Sequence, residues 1–210
     1  MHRIVLASAN AGKVREFQAL FDGSDFEIIA ASGLGGALEV AETGQSYCEN
    51  ALLKARSYAT AFGLPALADD SGLEVNALGG APGIHSARYG GPALDDRGRA
   101  ALVIEQLEQM AGAPRSARFQ CALVLYTPDG RTWYGDGRCA GRIAVEPRGH
   151  GGFGYDPIFL LPELGRTMAE LSEAGKNQIS HRSRALTALQ AAIRAVPLGF
   201  ARRPAQDTGG

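Results

Sequence analysis

Short apolar runs alternate with amphipathic stretches along the first part of the chain, and that alternation restricts it to a sheet flanked by helices. Ile4-Val5-Leu6-Ala7 marks a buried strand over residues 3–7, followed at once by Ser8-Ala9-Asn10 and a helical stretch over residues 11–21. Phe26–Ala30 reads as a second strand. Residues 46–62 read as a helix in which Ala51, Ala55, Tyr58 and Phe62 recur at helical spacing, a core stripe. A second stripe, Tyr47, Asn50, Lys54 and Ser57, is polar and could face a ligand. Pro65 ends this helix, and Ala66-Leu67-Ala68 is expected to form a short strand that opens into a turn at Asp69-Asp70-Ser71-Gly72.

Further on, residues 95–110 are helical, and two β-rich runs (117–126 and 132–145) flank the hairpin signal Thr127-Pro128-Asp129-Gly130. A last helix is expected over residues 180–196. With no repeat and no linker in view, residues 1–196 read as a single mixed-sheet α/β domain. The Pro/Gly-rich residues 197–210 are expected to be a disordered tail.

Several classes of protein are disfavoured. A net charge of −1 lacks the basic excess of a protein that coats nucleic acid or a membrane surface. Runs such as Cys121–Tyr126 are too short to span a bilayer. Cys48, Cys121 and Cys139 lack metal or redox spacing and read as reduced thiols, which together with the strand-like start of the chain makes the cytoplasm the expected compartment.

Three segments carry chemistry. Ser8-Ala9-Asn10-Ala11-Gly12-Lys13 joins a strand to a helix N-terminus, where free N–H groups and the helix dipole favour a phosphate; a plain N-cap by Asn10 is the equal alternative. It is no Walker loop, since Ala7 stands where the first glycine belongs and Val14 follows the lysine. Asp69 and Asp70 leaving an apolar strand call for a cation, solvent or hydrogen bonds, and suit Mg²⁺, which takes one or two carboxylates alongside substrate phosphates. Glu42 or Glu39 could add a carboxylate. His181 and Arg182 open the last helix, where the dipole disfavours cations, so a bound anion or an electron-rich carbonyl would offset their cost. Together these features suit metal-assisted attack of water on a phosphoanhydride.

The blocks SANAGKVREF, ENALLKA, ADDSGLEVNALGGAPGIHSARY, GGFGYDPIF and KNQISHRSRAL, in this order from residue 4 to about 195, resemble the Ham1/inosine triphosphatase family. The resemblance implies an elongated two-lobed α/β fold around a long mixed sheet, with the active site in the central cleft. It also implies a homodimer, Mg²⁺ dependence, and hydrolysis of non-standard purine nucleoside triphosphates such as dITP, ITP and XTP to monophosphate and pyrophosphate.

Carried onto this chain, Ser8, Ala9, Asn10, Ala11, Gly12 and Lys13 would cradle the triphosphate, with Lys54 and Lys176 as further cations. Asp70 would be general base and metal ligand, Ser71 would lie beside the substrate, and Glu42 would be the second metal carboxylate, with Glu39 the alternative. Phe153, Gly154, Tyr155 and Asp156 would hold the base, Phe153 by stacking, while His181 and Arg182 would address its 6-oxo group. Only three of the 21 basic residues are lysine, and all three fall inside these blocks. A pyrophosphatase of different base choice, and a nucleotide sensor without turnover, are the alternatives. Three acids near a triphosphate argue against the sensor.

Overall fold

The computed structural model describes residues 2–198. One seven-stranded mixed sheet runs through it in the order β2-β1-β3-β4-β5-β6-β7. Strand β1 (His2–Leu6) leads into α1 (Ala11–Leu20), and β2 (Phe26–Ala30) returns parallel to β1. Helix α2 (Tyr47–Phe62) precedes β3 (Ala66–Val75), and α3 (Asp96–Glu108) precedes the hairpin β4 (Ser116–Tyr126) and β5 (Thr132–Ile143). Two short strands, β6 (Phe159–Leu161) and β7 (Arg166–Thr167), then α4 (Glu173–Ile179) and α5 (His181–Ala195), complete the fold. The mixed α/β class expected from the alternation is what forms. The local signals are the ones the helices use: Asn10, Ser46, Asp95, Ser172 and Ser180 are N-caps whose side chains accept backbone N–H groups.

Strand β3 differs from expectation. The anticipated short strand and acidic turn are one continuous ten-residue strand, with Asp69, Asp70 and Ser71 in its middle. Only its first two residues pair with β1, Val5 with Ala66 and Leu6 with Leu67, whereas all ten pair with β4. The long antiparallel ladder outweighs the poor strand propensity of aspartate, because propensity is a small term beside ten residues of pairing and burial. Beyond Leu6 the parallel neighbour ends, and the loop before α1 stands beside the acidic stretch.

Alternation along β3 sends its side chains into different cores. Leu67 joins Ile4, Leu6, Phe17, Leu123 and Leu189 on the α1/α5 side, while Ala66 and Ala68 join Ala51, Ala55 and Tyr58 of α2. Asp69 and Asp70 therefore face opposite sides of the sheet. A third core gathers Leu73, Val75, Val103, Phe119 and Phe159 under α3. The core stripe of α2 is buried at Ala51, Ala55 and Tyr58 as expected.

The C-terminal boundary also shifts. Leu198, expected in the tail, is buried against the α1/α5 core, and the Trp133 indole donates to the Val196 carbonyl at 2.7 Å. The rest of the expected tail, 199–210, lies outside the described residues.

Helix α5 lies directly on β5, and the contact depends on two missing side chains. A Cβ at Gly137 would fall on the carbonyl of His181 and the backbone of Ala185, and one at Gly135 on the backbone of Ala185 and Leu189. Neither neighbour can yield, because both belong to helix backbone. Gly137→Ala is expected to lower unfolding free energy by about 3 kcal/mol, the upper end of overpacking. Urea denaturation of the full-length protein checks this, and a loss below about 0.5 kcal/mol would contradict the close docking.

Candidate active site

The loop Ala7–Asn10 carries β1 into α1. Asn10 Oδ1 accepts the Lys13 N–H at 3.0 Å, and its own N–H donates to Ser8 Oγ at 3.2 Å. The plain N-cap thus exists, and the first N–H groups of α1 still lack intrahelical partners, as in the first turn of any helix. Two clefts meet here. One is lined by Asp70, Ser71, Phe119, Phe153, His181 and Arg182. The other is lined by Ser8, Ala9, Glu39 and Lys54. Asn10, Lys13, Glu42 and Ala87 line both.

On the α2 side, Asp70 accepts from Asn50 Nδ2 at 3.1 Å and lies 3.6 Å from Lys54 Nζ. Lys54 also pairs with Glu42 at 2.6 Å, and Arg88 reaches Glu42 at 3.3 Å. Asn50 Oδ1 accepts the Gly44 N–H at 2.8 Å, tying the acidic segment to α2. The polar stripe of α2 therefore faces the site at Asn50 and Lys54. Ser57 does not take part: its hydroxyl donates to the Leu53 carbonyl.

Between the two acid candidates, Glu42 makes the contacts with Lys54, while Glu39 lines the second cleft only. Burial, with the charge of Glu42, raises the Asp70 carboxyl above its usual range despite Lys54. Glu42 is half-buried, but Lys54 holds its carboxyl low.

On the opposite face Asp69 is fully buried. Its Oδ2 lies 2.9 Å from Lys13 Nζ and 3.3 Å from Arg182 Nε, and it accepts the Ser71 hydroxyl at 3.0 Å. Burial works against its ionisation, but Lys13 and Arg182 outweigh it and hold the carboxyl well below the ordinary range. Arg182 also donates to Glu16 Oε2 at 3.0 Å and to Ser71 Oγ at 2.8 Å. The anion needed to offset a cation at the start of α5 is therefore supplied by the protein itself, through Glu16 and Asp69.

His181 adds no charge. It is buried, its ring stacks on Phe119 at 4.7 Å, and its Nδ1 has no hydrogen-bond partner. Burial, then Arg182 and Lys176, push its pKa well below the ordinary histidine value.

Lys176 stands with the Phe153–Asp156 segment. Its ammonium is 2.7 Å from Asp156 Oδ2 and 4.9 Å from the centre of the Phe153 ring, and Arg182 lies 5.1 Å from the same ring. The segment is further held by Asp156 accepting the Phe153 N–H, Tyr155 donating to the Ser86 carbonyl, and Gly154 N–H donating to Asp96. Phe153 also rests on the start of α1, where a Cβ at Gly12 would come within 2.7 Å of its Cδ1.

The structure thus gathers Asn10, Lys13, Glu42, Asp70, Ser71, Phe153–Asp156, His181 and Arg182 around one cleft, with Ser8, Ala9 and Lys54 in the adjoining one. Ala11 follows in the first turn of α1, and Gly12 and Lys176 border a groove behind Phe153. Sequence reasoning missed Glu16, Asn50 as the partner of Asp70, and Phe119. Glu16 had a faint signal: it lies three residues after Lys13, one turn along α1, beside the buried Phe17.

Among the described residues, no group of three or more His, Cys, Asp or Glu side chains forms a metal cage. Asp70 and Glu42 sharing one ammonium nonetheless fit a divalent ion that completes its shell with water and phosphate oxygens.

The chain matches the family model described as the Ham1 family over residues 4–192. It is 50% identical over 189 residues to a dITP/XTP pyrophosphatase of Geobacillus kaustophilus, covering 90% of this chain and 93% of that protein. A dITP/XTP pyrophosphatase of Methylococcus capsulatus is 48% identical over 199 residues, covering 94% and 98%. Among solved structures, a HAM1 protein from Coxiella burnetii superposes with a TM-score of 0.83 at 43% identity, covering 93% of this chain and all of that one.

The environment of His181 has a measurable consequence. Because its pKa is lowered in the fold, the unfolded chain binds one more proton once pH falls below about 6.5, so stability is present above that pH and declines below it. The decline contributed by this residue should reach about 1.4 kcal/mol per pH unit. NMR should show an imidazole that does not titrate between pH 8 and 5.5, and a midpoint inside that window would refute the buried neutral ring.

Proposed function

The chain belongs to the Ham1 family, and on that premise we propose that it hydrolyses non-standard purine nucleoside triphosphates, dITP, ITP and XTP, to monophosphate and pyrophosphate. One observation carries this reading. Asp70, its carboxyl raised by burial, lies beside Glu42 and Lys54 in a cleft that continues to the start of α1 and Lys13. A base with an elevated pKa accepts a proton from water more effectively, and neighbouring cations neutralise the charge that develops on phosphate oxygens.

In this mechanism Ser8 to Lys13 bind the triphosphate through the open N–H groups of α1 and the Lys13 ammonium. Lys54 exchanges its hold on Glu42 and Asp70 for phosphate oxygens. Asp70 takes the proton of the attacking water, with Asn50 fixing the carboxylate. Asp70 and Glu42 would hold Mg²⁺, which when bound supplies charge neutralisation to the phosphates. Ser71 stands beside the substrate.

At the other end of the cleft Phe153 stacks on the base, and Gly154, Tyr155 and Asp156 shape its seat. His181, a neutral ring lining the cleft, and the N–H groups of Arg182 not held by Asp69, Glu16 and Ser71 are donors for a 6-oxo group. Adenine presents an amino group there, and an unmatched buried donor costs about 1–3 kcal/mol. Lys176, paired with Asp156 beside Phe153, is assigned to the base end rather than to the phosphates. The same reading has the enzyme acting in the cytoplasm as a homodimer without nucleic-acid or membrane partners. No helix among the described residues is long and apolar enough to cross a membrane.

Product analysis with Mg²⁺ present should give dIMP and pyrophosphate from dITP, with dATP consumed at least about tenfold more slowly. Release of inorganic phosphate instead would refute the pyrophosphatase reading. Asp70→Asn should keep the fold, because the amide retains the shape of the carboxylate, yet lower kcat by about 10²–10⁴. Kinetics of this variant alongside its thermal melt decide the point, and a kcat within tenfold of the parent would remove Asp70 from the role of base.

A further inference from the structure

Asp69 has no place in the reaction as described, yet it is the most enclosed charge in the molecule's centre. It is 1% exposed, its Oδ1 has no hydrogen-bond partner, and its Oδ2 serves Lys13, Arg182 and Ser71 together. Lys13 comes from the first turn of α1, where the two clefts meet. Arg182 comes from the first turn of α5 and lies against the Phe153 ring.

One buried oxygen is thus the shared counter-charge of two cations that reach it from different helices, α1 and α5, both lining the substrate cleft. Ser71 closes the arrangement, accepting from Arg182 Nη2 while donating to Asp69, so the guanidinium is fixed in orientation as well as in place. In so dry a setting neither cation can be lost without consequence for the other. If Lys13 is removed, Arg182 is left as the nearest compensation for a fully buried carboxylate and is drawn toward it. Glu16 is then the weaker of the two claims on the guanidinium.

Resting on the reading in which Lys13 meets phosphate and Arg182 the base, we propose that Asp69 is a positioning residue that couples base recognition to the phosphate-binding loop. It touches neither substrate nor water. Its effect is to hold the two cations in one register, so that damage at the phosphate end is felt as lost discrimination at the base end. Lys54 provides the contrast: it acts on Asp69 through space, but its direct contacts are with Glu42 and Asp70 on the other face of the sheet, so it shares no hydrogen-bonded oxygen with Arg182.

The test is the ratio of kcat/KM for dITP over dATP in the full-length protein with Mg²⁺, for the parent, Lys13→Met, Lys54→Met and Asp69→Asn. Lys13→Met should reduce the ratio by about fivefold or more, within the range of coupling between residues that share a partner. Lys54→Met should lower both rates and leave the ratio within about twofold. Asp69→Asn should bring the ratio close to unity. Should that variant fail to fold, the comparison of the two lysine variants still decides, and a purely structural role for Asp69 would shift melting temperature without moving either ratio. A discriminating parent whose ratio is the same after Lys13→Met as after Lys54→Met overturns the coupling alone. A parent that turns over dITP and dATP equally overturns the base reading, and the coupling with it.

Discussion

Burying Asp69 and Asp70 next to each other in the middle of β3 costs several kcal/mol per ion unless each finds a counter-charge, and the elements around β3 are arranged to supply one. Because successive strand residues face opposite sides, the two acids take their direct contacts from different helices, although Lys13 and Lys54 each also act on both through space. Lys13 of α1 and Arg182 of α5 serve the first, and Asn50 and Lys54 of α2 the second. Three helices are thereby committed to positions around one strand. The chain's scarce lysines are spent at this centre and beside it, where Lys176 meets Asp156.

Equal chemistry on the two faces does not produce equal acids. Asp69 is surrounded by cations in direct contact and stays ionised far below the ordinary carboxylate range. Asp70 is less completely compensated, since Lys54 is further away and divides its charge with Glu42, so burial prevails and its carboxyl is raised. One acid is thus a fixed charge and the other is able to exchange a proton. The same logic separates the first two residues of α5. Arg182 keeps its charge because two carboxylates hold it, while His181, with only cations among its nearest charges apart from Asp69, stays neutral.

Close approach makes this arrangement possible. Gly135 and Gly137 let α5 lie on β5, which carries His181 and Arg182 to the cleft, and Gly12 leaves room for Phe153 over the start of α1. Phe153 in turn lies near both Lys176 and Arg182, so the aromatic wall of the base end and the cations of the site are packed as one unit. Glycines within a β-rich run and a helix start here serve contact between elements.

Local order was legible from the residues alone. The strand at Ile4, the α1 start at Asn10, the α2 core stripe and the hairpin around Pro128 are all written in short-range periodicity and capping, and they form where expected. The candidate residues, too, could be named from their blocks. What short-range pattern could not give was the strand character of Asp69 and Asp70, which rests on a ladder to β4 some fifty residues away in sequence and on the burial it brings. Nor could it assign Glu16 to Arg182, or decide which acid is raised and which is held low. Those outcomes depend on pairs such as Arg182 and Asp69, 113 residues apart. Residue identity and local periodicity are properties of the sequence, whereas the dielectric around a carboxylate and the charge that faces it exist only once distant segments have packed together.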